Sequence, residues 1–135
     1  MLVNYKPVSG GSYTLLFDES AGDANEQFAP SFRDSLYKPG GYGAASAPKI
    51  PLANTEGQVA FKWSSNYASA AVGAAAIATL RAALKGVPVH LQVTVGATVL
   101  YFPNANLTAS SHNQKSREVL HSLTFETDDV TTTAP

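Results

Sequence analysis

Val87-Pro88-Val89-His90-Leu91-Gln92-Val93-Thr94-Val95 alternates without a break. Apolar residues at the odd positions are separated by Pro88, His90, Gln92 and Thr94. That period of two is what a strand with one buried face requires. Downstream, Gly96-Ala97 permits a two-residue reversal into Thr98–Phe102, so a hairpin is expected. Leu107–Ala109 continues this strand beyond a break at Pro103-Asn104. A polar connection, Ser110 to Arg117, then leads to Glu118–Glu126, where Val119, Leu123 and Phe125 share one face with His121.

Upstream of the alternating run the period changes. Ala70, Gly73, Ile77, Leu80 and Leu84 recur at steps of three and four, which places them on one stripe of a helix over about 67–85. Ser64, Ser65 or Asn66 is expected to cap its start. Gly86 and Pro88 end it. Most other residues of the helix are alanine, so it is thin and can approach a sheet closely. Before it, Val59, Phe61 and Trp63 alternate with Ala60, Lys62 and Ser64 as a further strand. At the other end of the chain, Leu2–Val8 and Tyr13–Phe17 flank Gly10-Gly11 and read as a hairpin, with Tyr13, Leu15 and Phe17 on its apolar face.

Between these blocks, residues 18–57 carry Pro30, Pro39, Pro48, Pro51 and Gly40-Gly41-Tyr42-Gly43. Such spacing predicts a long irregular arm without a long helix or a central strand. Its Phe28, Phe32, Tyr37 and Tyr42 are too apolar for a disordered linker and need a surface to bury against. The tail at 128–135 is expected to be flexible. The whole, 1–135, is expected to be a single domain, mainly β with one α-helix: a β-sandwich or curved antiparallel sheet with a flanking helix.

Composition narrows the function. Of the 135 residues, 44% are hydrophobic but only 14% charged, and the net charge is −1. A weakly charged surface is poor at keeping copies apart. The nine basic residues are scattered, so the patch that sequence-specific or general nucleic-acid binding needs is missing. Without cysteine there is no thiolate nucleophile, disulfide or thiolate metal site. The apolar run 68–80 is shorter than the roughly 20 residues of a membrane span, and the start of the chain lacks the pattern of a signal peptide. A soluble protein without membrane insertion is expected.

Catalytic motifs are absent as well. His90, His112 and His121 show no metal-ligand spacing, and His121 reads as a core-edge histidine with a hydrogen-bond partner. Asp18-Glu19-Ser20-Ala21-Gly22-Asp23 lacks the alternating ligands of a calcium loop and reads as a solvated turn. The glycine-rich 40–43 is followed by no Lys-Ser/Thr and reads as a hinge. Trp63 is in phase with Val59 and Phe61, which makes it a core anchor before a ligand platform. No catalytic residue, metal ligand or cofactor site is assigned, and the chain is read as no enzyme.

Four stretches carry a resemblance. Phe61-Lys62-Trp63 precedes the alanine-rich helix and the run 87–95; Phe102-Pro103-Asn104-Ala105-Asn106-Leu107-Thr108 and His121-Ser122-Leu123-Thr124-Phe125 follow. Over about 58–130 this order resembles the small bacteriophage tail proteins of the tail-tube fold. The resemblance implies a β-sandwich with a flanking helix, assembled with itself as a ring, usually a hexamer. It implies a virion structural protein of a tail tube, or of a tail tip or baseplate, located in the tail, assembled in the host cytoplasm and contacting other tail proteins. Phe28, Phe32, Tyr37 and Tyr42 then become subunit-interface candidates, and His90, Gln92 and Thr94 candidates for the face lining the lumen. The alternative is a ligand- or carbohydrate-binding β-sandwich, such as a receptor-binding or capsid-decoration module; an enzyme of unrecognised type is a third.

Overall fold

The computed structural model describes residues 1–37 and 50–135. Among these residues seven strands and one α-helix follow in the order β1 (Leu2–Pro7), β2 (Thr14–Asp18), β3 (Ala24–Tyr37), β4 (Ile50–Asn66), α1 (Ala70–Leu84), β5 (Val89–Val95), β6 (Thr98–Lys115) and β7 (Glu118–Thr127). They form one antiparallel sheet in the order β2-β1-β5-β6-β7-β4-β3, mainly β with a single flanking helix, as expected.

The sheet curves because of β6. Its first part, Thr98–Ala105, pairs with β5, and Asn106–Lys115 pairs with β7. Just before the changeover the β5 register shifts at Pro103 and Asn104, the latter at φ 52°. The expected strand break is therefore a bend inside one continuous strand, which hands the chain from one half of the sheet to the other. The halves then face each other. Phe17 of β2 stacks on Trp63 of β4 with ring centroids 4.5 Å apart, although the two strands stand at remote positions in the sheet order. Val3, Leu91, Val93, Phe61, Phe102, Leu123 and Phe125 complete the buried layer.

The alternation of β5 is realised: Val89, Leu91 and Val93 are fully buried, and Val95 meets Thr98 across the Gly96-Ala97 turn. In β2 the alternation fails. The register moves from Val3↔Phe17 to Asn4↔Leu15, so β2 carries an extra residue, a β-bulge at Leu16. Leu16 and Phe17 both lean on the core, and Leu15 turns outward, 49% exposed.

Helix α1 is capped five residues later than the first candidate, Ser64. Strand β4 runs on to Asn66, which pairs with Glu118, so Ser64 and Ser65 are strand residues. Ser69 is the cap, its Oγ accepting from the Val72 N–H at 3.2 Å. At the far end the Lys85 N–H donates to the Arg81 carbonyl, and Gly86 takes φ 71°, the left-handed turn-off that favours glycine. The helix lies close to the sheet at Gly73, where an added Cβ would come within 2.9 Å of Gln114 Nε2 and 3.4 Å of Val119 Cγ2. Gln114 Nε2 also donates to the Ala70 carbonyl at 2.7 Å, and Leu84 is buried in the core.

The segment read as an irregular arm is largely a β-hairpin. Residues 24–37 and 50–57 lie in β3 and β4, whereas 38–49, with Tyr42 and the glycine-rich 40–43, fall outside the described residues. The prolines are accommodated by position. Pro30 sits on β3, an edge strand, where a missing N–H can face away from the sheet. Pro51 sits where β4 pairs with β3 alone, because the β4–β7 ladder begins only at Gly57↔Thr127. The tail expected to be flexible is tied at its start. Asp128 N–H donates to the Pro103 carbonyl at 3.1 Å, and Tyr101 and Thr131 exchange backbone hydrogen bonds of 2.8 and 2.9 Å. Likewise the polar stretch read as a connection, 110–117, is strand through Lys115; only Ser116-Arg117 forms the turn.

Gly57 is where the hairpin leaves the sheet. A Cβ there would lie 2.6 Å from Thr127 Oγ1, 2.9 Å from the Phe32 ring and 3.0 Å from the Asp128 carbonyl oxygen. Because one of these is backbone, Gly57→Ala is expected to cost about 1–3 kcal/mol, read as a lowered midpoint in urea denaturation. An unchanged midpoint would show that the ladder end yields freely.

Candidate assembly surfaces

Two sheet edges are open among the described residues. One is β2; the other is β3 together with residues 50–56 of β4. An open edge presents unpaired N–H and C=O groups to any strand that can add to it. Pro30 lies on this edge strand between Phe28 and Phe32, and its nitrogen has no hydrogen to give to an added strand. Beyond Gly57 the β3–β4 hairpin has no third strand beside it and projects past the end of β7.

The interface candidates separate when placed on this frame. Phe28 packs in its own domain, its ring 5.6 Å from Phe61 and 5.8 Å from Phe102. Phe32 is 37% exposed while stacking on Phe102 at 6.3 Å, which holds its ring over the base of the hairpin. Tyr37 pairs with Ile50 at the end of the described hairpin. Tyr42 lies outside the described residues. Leu15 on β2, which the alternation placed on the buried face, and Val72 on α1, 48% exposed, which the helical stripe left out, are apolar surface residues.

His90, Gln92 and Thr94 lie together on the outer face of β5, opposite the buried Val89, Leu91 and Val93. All three are half-buried, and Gln92 and His90 are hydrogen-bonded to neighbouring strands. Asn4 Nδ2 donates to Gln92 Oε1 at 3.0 Å, and Gln92 Nε2 donates to the Tyr101 hydroxyl at 3.4 Å. The Asn104 N–H points at His90 Nδ1 at 3.4 Å. Burial, with the Lys6 ammonium nearby, holds the His90 imidazole below its ordinary pKa. This face is an amide-and-hydroxyl ladder beside Lys6, the cross-strand partner of His90, whose ammonium lies over the Tyr13 ring at 4.8 Å.

The remaining candidates resolve as structure. Trp63 is only 2% exposed, between Phe17 and His121, so it offers no platform to a glycan. Asp18 caps a short turn by accepting from Ser20 N–H and Oγ, and Asp23 accepts from the Asp18 N–H and from Ser65 Oγ. Those carboxylates are committed to local donors. Among the described residues no group of three or more His, Asp or Glu side chains is placed to hold a metal ion, and no helix is long and apolar enough to cross a membrane. A groove of about 440 Å³ at the end of β7 is lined by Arg33, Glu56, Gln58, Glu126 and Asp128.

One cluster escaped the sequence. His112 and His121 are cross-strand partners in the β6–β7 hairpin, with their Nδ1 atoms 2.7 Å apart. His121, 1% exposed, meets the Tyr67 hydroxyl through Nε2 at 3.0 Å, so the hydrogen-bond partner expected for it exists. His112 looked like a loop residue because its neighbours are polar; the two-residue Ser116-Arg117 turn was the signal that would have put it opposite His121.

No protein-family model and no curated protein matches the sequence. Solved structures do. A chain from the tail of an empty GTA particle, refined with C6 symmetry, superposes with a TM-score of 0.54 at 10% identity, over 98% of this chain and 95% of that one. A chain from the sixfold-symmetrised baseplate of the anti-feeding prophage gives 0.49 at 11% identity, over 96% and 89%. The curved antiparallel sheet with its flanking helix thus shares its fold, along nearly its whole length, with a chain from the tail of that particle.

Proposed function

We propose that this chain is a virion structural protein: a single-domain, ring-forming subunit of a tail tube, or of a tail tip or baseplate. It associates with copies of itself and with other tail proteins, is assembled in the host cytoplasm, and performs no reaction. The observation that carries this reading is a pair of unlike open strand edges on a fold shared end to end with a chain of a C6-symmetric tail. An edge of one kind meeting an edge of another kind in the next copy is a head-to-tail contact, and such contacts close into a ring when the rotation from copy to copy divides a full turn. Six copies is the number favoured by the symmetry of that tail. The neutral face of His90, Gln92 and Thr94 suits a lumen, since amides and hydroxyls without clustered cations do not hold a phosphate backbone.

The interface is then led by Phe32 and Tyr37 on the hairpin and by Leu15 on the opposite edge, with Tyr42, outside the described residues, kept as a further candidate. Phe28 contributes indirectly, by fixing β3 to Phe61 and Phe102. Sedimentation velocity across a concentration series tests this. The parent protein is expected to form one discrete oligomer. Leu15→Asp and Phe32→Asp, one on each edge, are each expected to weaken association by about 2 kcal/mol, roughly thirtyfold, the scale of an interface anchor. Variants that assemble as the parent does would place the contact elsewhere on the molecule.

A further inference from the structure

His112, His121 and Tyr67 form a chain of three side chains that joins β6 and β7 to the segment leading into α1. His112 Nδ1 and His121 Nδ1 are 2.7 Å apart, a separation that leaves room for one hydrogen between them. His121 Nε2 is 3.0 Å from the Tyr67 hydroxyl. In the neutral pair one imidazole donates from Nδ1 and the other accepts there, and His121 Nε2 can accept from Tyr67. His112 Nε2 is buried without a hydrogen-bond partner among the described residues. Once both imidazoles are protonated, each Nδ1 carries a hydrogen, and the 2.7 Å contact cannot persist.

The surroundings decide how readily protons arrive. The Trp63 ring lies over His121 at 4.9 Å and excludes water. From α1, the Arg81 guanidinium opposes a proton on His112; it hydrogen-bonds Ser110 on the same strand. From the loop before β3, the Asp23 carboxylate favours a proton on His121, and it is itself tied to Ser65. Gln114, the neighbour on β6 that reaches the helix, is uncharged. Burial opposes the charge on both imidazoles, followed by Arg81 at His112 and by His112 at His121.

We propose that the His112–His121–Tyr67 chain is a proton-operated latch, whose double protonation drives the two imidazoles apart and releases Tyr67 and the first turn of α1 from the β6–β7 hairpin while the rest of the sheet stays closed. The location fits local release. Around the latch the helix start is held by Gln114 to the Ala70 carbonyl and by the Tyr67 N–H to the Arg117 carbonyl at 2.8 Å, both close to the surface. Its other end is anchored separately by the buried Leu84. This inference stands apart from the proposed tail role, because it concerns one protomer alone.

Trp63, the single tryptophan of the chain, is a built-in reporter, since a protonated imidazole stacked on an indole quenches its fluorescence. Hydrogen exchange should be measured with the whole protein between pH 7 and pH 4, normalised to β1 and β5 amides such as Val3 and Val93. The latch predicts that Tyr67 and the α1 amides from Val72 to Ala74 lose at least about tenfold of their protection as Trp63 dims, before the reference strands change. In His112→Gln, which keeps a polar side chain but cannot bring a second charge, that selective loss is expected to vanish. Loss of protection everywhere at once, no selective loss in the parent, or the same loss in His112→Gln would each overturn the latch.

Discussion

Replacing Trp63 with alanine is expected to cost about 3–5 kcal/mol, the range for removing a large buried aromatic. That is a large part of the roughly 5–15 kcal/mol that holds an ordinary domain together. The reason lies in where the two halves of the sheet meet. Phe17 comes from the β2 end of the sheet, Trp63 from β4 near the other end, and their rings stack at 4.5 Å. The opposite face of the indole covers His121 at 4.9 Å. Alanine leaves a void between strands that the sheet ladder connects only through the bend of β6, so the two halves cannot simply slide together to fill it. Urea denaturation followed by circular dichroism measures the loss; Leu15→Ala, on the outward side of the β2 bulge, is the control and is expected to stay within about 0.5 kcal/mol of the parent. A Trp63→Ala protein as stable as that control would mean that the halves are not packed on each other.

The second large effect is of pH. Burial first, then the adjacent His112, lowers the His121 pKa from 6.5 to about 4, with Asp23 opposing. The folded protein therefore refuses a proton that the unfolded chain accepts. Above pH 6.5 both states hold His121 neutral and nothing is lost. As pH falls from 6.5 towards 4 the unfolded state takes up the proton alone, and stability declines by about 3 kcal/mol over that window, at 1.36 kcal/mol per pKa unit. His112 and His90, lowered in the same direction, add to the decline. Opening of the latch would limit it, because an opened His121 titrates normally. The midpoint urea concentration, measured at steps between pH 7 and pH 4, should fall through this range, and His121→Phe, which cannot titrate, should flatten the curve. A parent protein equally stable at pH 7 and pH 4 would contradict the burial of a neutral histidine pair.

Much of the fold was legible in the chain because the strands nearest the core are half-buried and regular. The run from Val87 to Val95 and the triplet Val59, Phe61, Trp63 declare their inner faces by simple alternation. What stayed illegible depends on neighbours in space. A one-residue bulge at Leu16 reverses the faces of Leu15 and Phe17's surroundings, and a period-two reading cannot anticipate it. Pro30 and Pro51 argue against central strands, yet they are compatible with an edge strand and with a stretch of β4 that has one neighbour. Whether a proline breaks a strand or sits on its free side is decided by strand order. The cap moved from Ser64 and Ser65 to Ser69 for a related reason: β7 extends β4 to Asn66.

The candidate site shows the same division. Residues on the outer face of β5 could be grouped from the sequence, since His90, Gln92 and Thr94 share a period. The histidine pair could not, since His112 and His121 meet only through the register of a hairpin whose first strand is polar at nearly every position beyond Leu107. Of the aromatic residues assigned to an interface, Phe28 and Phe32 are four residues apart on one edge strand. Phe28 lies against Phe61 and Phe102, while the Phe32 ring remains partly open to solvent. The strand is thereby fixed from within and free to pair from without, the condition for an edge that recruits a neighbour without losing its own place.

Electron micrographs of the purified protein at high concentration, sorted into class averages, test most directly whether these edges join copies into a closed assembly. The account predicts round particles with a central opening, six repeating densities around it, and their disappearance in Phe32→Asp. Fields of single particles of 14.1 kDa at every concentration, with correctly folded protein, would contradict it.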